Sequence, residues 1–100
     1  MIYITQLIYI KPNQETIFNQ FEAIAIPIIS NYNGKLMLRI RPDKHSIIDA
    51  TIEQPYEIHL ISFESENDFE KFMHDEERKK FLHLKEQAIQ TSILIKGATL

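Results

Sequence analysis

The chain has no cysteine and no tryptophan, only two glycines and four prolines, and no long uninterrupted apolar run. Without cysteine there is neither a disulfide framework nor thiolate chemistry, a composition that fits a reducing, cytoplasmic setting. Gly34 and Gly97 are isolated, so nothing resembles a phosphate-cradling loop. Basic residues are not in excess. The formal net charge is -3, whereas a general nucleic-acid binder presents a basic face. The apolar opening segment has no positively charged stretch before it and no small-residue cleavage site, and Lys11-Pro12 ends it well short of a bilayer span. Neither nucleic acid nor membrane is expected as a partner.

What is present is one hundred residues with 44% apolar content, enough for a single domain over residues 1–100 with one core. Ile2–Ile10 (IYITQLIYI) reads as a strand apolar on both sides. Lys11-Pro12-Asn13 is a turn with Asn13 as N-cap, and Ile17, Phe21, Ile24 and Ile28 recur as the apolar stripe of a helix. Pro27 predicts a kink in that helix, and Gly34 its left-handed cap. Lys35–Arg41 alternates as a half-buried strand, with Leu36, Leu38 and Ile40 on one face and Lys35, Met37, Arg39 and Arg41 on the other. An irregular connection follows, with a short extension at Ile47–Ile48. Tyr56–Phe63 is a second strand apolar on both faces. Ser65 and Asp68 form a capping box before a helix striped by Phe69, Phe72 and Met73. Asp75 caps a second helical piece buried through Phe81, Leu84 and Ala88, and Ser92–Lys96 is a short closing strand.

Strand, helix, strand, strand, helix, strand is the split βαβ order. It predicts an α+β, ferredoxin-like fold: a four-stranded antiparallel sheet, first and third strands central, two helices on one face. The two doubly apolar segments fall where that topology needs them. Helices cover only one face, so the other must meet something else, and a second copy of the chain across a twofold axis is the simplest cover. Strand parity then assigns Tyr3, Leu7, Tyr9, Ile61 and Phe63 to a homodimer face, and Ile4, Ile8, Leu38, Ile58 and Leu60 to the helix side.

Several stretches strengthen this reading. Pro27 late in the first helix, the Tyr32-Asn-Gly-Lys35 turn into a strand carrying Arg39, Ile61-Ser-Phe-Glu-Ser65, and the closing Ile95-Lys-Gly97 resemble the domain of unknown function 1330 family, over nearly the whole chain. The resemblance implies the dimeric α/β-barrel superfamily, which also holds small monooxygenase-like proteins. Asn33 stands where that family often has the first of two glycines. Ser62 stands where it often has a carboxylate, with Glu64 displaced, and the second helix lacks the family's frequent tryptophan.

The polar residues on the strands are the candidates for chemistry. Arg39 and Arg41 share one face of the second strand, Glu57 and His59 one face of the third, and the strands are neighbours. An arginine beside a histidine can hold an anion and supply an acid or base near neutral pH. The alternative is an ion pair at the dimer seam. Tyr3 could line the same cleft, so the candidate ligand-binding set is Arg39, His59, Glu57 and Tyr3, taking a small apolar or carboxylate-bearing molecule. A cofactor-independent monooxygenase- or isomerase-like enzyme and a non-catalytic structural dimer module are the other two readings. His45, His74 and His83 lack ligand spacing, so neither metal nor cofactor is expected. The run Asp75–Lys80 reads as helix-surface pairing, Glu76 with Lys80.

Overall fold

The β-branched opening segment forms β1 (Ile2–Ile10), and the rest of the chain follows in the order α1 (Glu15–Ile28), β2 (Gly34–Ile40), β3 (Glu57–Phe63), α2 (Glu66–Met73), α3 (Glu76–Lys80), α4 (Leu82–Ala88) and β4 (Ile89–Gly97). This description comes from a computed structural model covering residues 1–100. The sheet is antiparallel in the order β2-β3-β1-β4, with the two doubly apolar strands at its centre. This is the ferredoxin-like arrangement. No helix is long and apolar enough to cross a membrane.

Local chemistry accounts for most boundaries. The Ser65 hydroxyl accepts from the Asp68 amide at 3.1 Å and donates to the Asp68 carboxylate at 2.9 Å. The box thus closes on the hydroxyl rather than on the Ser65 amide. Asp75 accepts from the Arg78 amide at 2.8 Å and starts α3. Phe81 then separates α3 from α4, so the second helical piece is two short helices. β4 is longer than the five residues expected, running from Ile89. Residues 44–46 form a 3-10 turn capped by Asp43, and Ile48 is fully exposed. The extension at Ile47–Ile48 does not form.

Two details of the first crossover differ from expectation, and a third, the helix running on past Pro27, agrees with it. Asn13 is not the N-cap but a left-handed turn residue at φ 65°, one position before the Gln14 cap. Pro27 neither stops the chain nor ends its winding: α1 passes through it and tightens into a 3-10 turn over Ile29–Tyr32. The left-handed cap is Asn33, at φ 56°, not Gly34. Asn tolerates that conformation because its short amide can bond locally. Gly34 is required for another reason: a Cβ there would sit 2.6 Å from both Ile29 Cγ2 and the ring of Phe63.

The register decides the faces. Ile4 pairs with Ile61, Leu7 with Ile58, and Thr5 with Leu60. Ile61 and Phe63 therefore share the helix side with Ile4 and Ile8, and Phe63 packs on Phe69 and Phe72. Ile58 and Leu60 lie on the open face. Both expected assignments for the third strand are thus inverted, because its odd-numbered residues, including polar Glu57 and His59, point inward. On β2 the alternation is broken by a bulge. Leu36 pairs with Ile61 but Leu38 pairs with Leu60, leaving Met37 as the extra residue. Leu36 faces the helices, while Leu38 and Ile40 turn to the open face with Leu7, Ile93 and Ile95. Leu38, Ile40, Ile93 and Ile95 are 41–51% exposed there.

Candidate functional site

The bulge at Met37 carries the polar end of β2 inward. Arg39, opposite His59 in the ladder, donates from Nε to Glu57 Oε2 at 2.8 Å, and Arg41 Nε donates to Oε1 at 2.7 Å. His59 Nε2 also bonds to Oε2. A carboxylate with no solvent exposure thus receives three donors, from β2, from the residue just past its end and from β3. Arg41 extends further, donating to Asn19 of α1 at 2.7 Å and lying 5.1 Å over the Tyr56 ring. Burial alone would raise the Glu57 pKa, but the bonds from Arg39, His59 and Arg41 outweigh it and hold the carboxyl below its ordinary value. An ionised Glu57 can only accept, so His59 Nε2 carries the proton. Burial lowers the His59 pKa despite that bond. The imidazole is neutral at pH 7, and Nδ1 is its free lone pair.

Of the four candidate residues, the structure brings together Arg39, Glu57 and His59. They meet on the helix side of the sheet rather than on the open face. Tyr3 lies on the opposite face, paired with Ser62, and does not join them.

His59 leads from this cluster into a cavity between the sheet and the helices. Thirteen of its eighteen lining residues are apolar, among them Ile4, Phe21, Ala25, Ile61 and Leu94; the others are Gln6, Glu22, His59, Arg78 and Lys85. About 50 Å³ is open to the centres of water-sized groups, several times the ~10–15 Å³ that one water needs. Glu22 and Arg78 are each only 6% exposed. Burial, reinforced by Glu57, pushes the Glu22 carboxyl up to about 7, against the pull of Arg39, Arg78 and Lys85. Burial also lowers the Lys85 ammonium, with Arg78 adding to the effect. No fully buried side-chain nitrogen or oxygen lacks a partner. His59 Nδ1 and the Glu22 carboxyl, which bond to no other protein group, are therefore not fully sealed off, and both residues line the cavity.

Glu22, Arg78 and Lys85 were not among the sequence candidates. A signal for Glu22 existed: it sits inside the buried stripe Phe18, Phe21, Ala25, Ile28, where a carboxyl has no ordinary place. Arg78 was hidden in a run that reads as surface charge. In that run the pairs formed are Glu76 with Lys79 and Glu77 with Lys80, not Glu76 with Lys80, and Arg78 turns inward to donate to the Met73 carbonyl at 3.1 Å.

No protein-family model and no curated protein matches the chain. Solved structures do. A protein of unknown function from Rhodopseudomonas palustris superposes with a TM-score of 0.83 at 15% identity, over 99% of this chain and 82% of that one. An uncharacterised NIPSNAP domain protein from Burkholderia xenovorans gives 0.73 at 9% identity, over 100% and 95%. A protein of unknown function from Bacteroides fragilis, described as dimeric and ferredoxin-like, gives 0.71 at 7%, over 98% and 95%. At these identities the likeness is one of fold.

Proposed function

We propose that the chain is a cytoplasmic homodimer, of the kind represented by the domain of unknown function 1330 family, in which each protomer binds a small apolar or carboxylate-bearing molecule between sheet and helices. The observation that carries the ligand reading is the cavity itself: a mostly apolar lining interrupted by a few convergent polar groups is the usual make-up of a small-molecule site. His59 is the ligand-facing member of the sequence candidates. Glu57 fixes its tautomer, and Arg39 holds Glu57. Tyr3 belongs with the dimer seam.

The dimer reading is supported by the open face. Withdrawing a large apolar side chain from water is worth about 1.5–3 kcal/mol, and several such side chains stand there side by side. The Bacteroides fragilis protein of the same fold is described as dimeric.

A second reading, a cofactor-independent isomerase- or monooxygenase-like enzyme, is favoured by one feature. A neutral imidazole oriented by a buried carboxylate and open to a cavity is arranged to take a proton from a bound molecule. A thermal-shift screen over small aliphatic and aromatic acids, alcohols and esters tests the ligand reading. At least one class should raise the unfolding midpoint, and Ala25→Leu, which fills the cavity, should remove that shift while the dimer persists. A flat screen, or a shift unaffected by Ala25→Leu, contradicts it.

A further inference from the structure

Arg78 is a guanidinium enclosed to 6% exposure, yet none of the molecule's ion pairs includes it. Its side chain makes one hydrogen bond, from Nη1 to the Met73 carbonyl, and its plane lies 5.3 Å over the Phe72 ring. Because no fully buried side-chain nitrogen lacks a partner, Nε and Nη2 are not sealed off, and Arg78 is one of the residues lining the cavity. Lys85 of α4 lines the same cavity and likewise has no ion-pair partner. Two cations therefore converge on an apolar chamber whose only acid is Glu22. Glu22 and Asp75 act on Arg78 without forming an ion pair with it, and burying a cation with no directly paired anion is costly. The chamber is electrostatically incomplete, and what it lacks is a carboxylate-sized negative charge.

This inference rests on the cavity being a small-molecule site. We infer that it takes a short aliphatic monocarboxylate, whose carboxylate lies between Arg78 and Lys85 and whose tail lies among Ile4, Phe21, Ile61 and Leu94. The planar fork of arginine suits a carboxylate, and lysine adds a point charge. The free space admits only a handful of heavy atoms, which selects chains of about four to six.

Binding has a protonic signature. The groups that act on Glu22 are Glu57 and Arg39 from the sheet, Arg78 from α3 and Lys85 from α4, with His59 and Gln6 lining the same space. A bound anion stabilises the protonated form of every titratable member. Glu22 is raised further, and Lys85 and His59, both lowered by burial, shift back upward. All three effects have one sign, so binding takes up a proton near pH 7.5.

The test is titration calorimetry on the full-length protein with butyrate and 3-methylbutyrate against their primary amides, in two buffers of different ionisation heat. The acids should bind at least tenfold more tightly than the amides, with uptake of up to one proton that the amides do not show. Arg78→Gln and Lys85→Met should each weaken acid binding tenfold or more and leave the amides unchanged. Glu22→Gln should remove most of the uptake. Should Arg78→Gln fail to fold, the acid-to-amide ratio and the proton count of the native protein still decide the matter. Equal affinity for acid and amide, or acid binding without proton uptake, overturns the inference and spares the cavity reading. Binding of neither compound overturns both.

Discussion

The two faces of the sheet are built from the same strands yet invert the usual rule. On the helix side of β3 the buried positions include Glu57 and His59, whereas the open side presents Ile58 and Leu60. A lone half-covered sheet would place its charges outward and its aliphatic residues inward. Each inversion has its own cause. Polar residues are tolerated inside because Arg39 and Arg41 supply the donors that Glu57 needs, and apolar residues are tolerated outside if a second sheet covers them. One face is thus organised around a buried polar cluster, and the other presents an apolar surface.

The sharpest way to break this contrast is to charge the open face. Leu7→Glu should dissociate the dimer, halving the mass seen by light scattering at micromolar concentration, because a carboxylate cannot be left in a dry interface unpaired. A stable monomer of the native chain under those conditions contradicts the dimer itself. Next in size is Glu57→Ala, which strips the partner from two arginines and a buried imidazole. Unfolding in urea should show a loss of about 3 kcal/mol, the lower end of the range for breaking a buried pair, since Arg39 and Arg41 keep access to water.

Glu22→Gln should act in the opposite direction. The folded carboxyl titrates at about 7 against an ordinary 4.5. Between those values the native state holds a proton that the unfolded state has released, so stability falls as pH rises and levels off above 7. The variant escapes that loss. It should exceed the native protein by about 3 kcal/mol at pH 8 and match it near pH 4, as read from urea midpoints. The smallest effect is expected from Ile95→Val on the edge strand, which should weaken dimerisation by roughly tenfold, the consequence of losing one buried methylene from each of two protomers.

The fold was legible in the sequence because its signals are local. Two doubly apolar strands, the Ser65 and Asp75 caps and the stripe of α1 each state their own element. The meeting of Arg39 with Glu57 was legible from strand adjacency alone. The face on which they meet was not. Parity in β3 depends on register against β1, and both sets of its residues contain apolar side chains, so alternation could not choose between them. Parity in β2 depends on a bulge that no residue type announces. Glu22, Arg78 and Lys85 come from three helices, and only tertiary packing brings them to one chamber.

The bulge at Met37 has a consequence in terms of phase. Upstream of it, β2 keeps step with Ile61; downstream, every side chain is displaced by half a pleat. Straightening β2 with Met37 kept in the ladder would leave composition and charge untouched, yet it would set Met37 against Leu60 and Arg39 against Ile58, swing Arg39 and Arg41 out to the open face and turn Leu38 and Ile40 toward His59 and Glu57. The chain's chemistry is therefore written less in which residues β2 contains than in which one of them is left out of the ladder, whereas removing Met37 itself would keep Leu38 against Leu60 and Arg39 against His59.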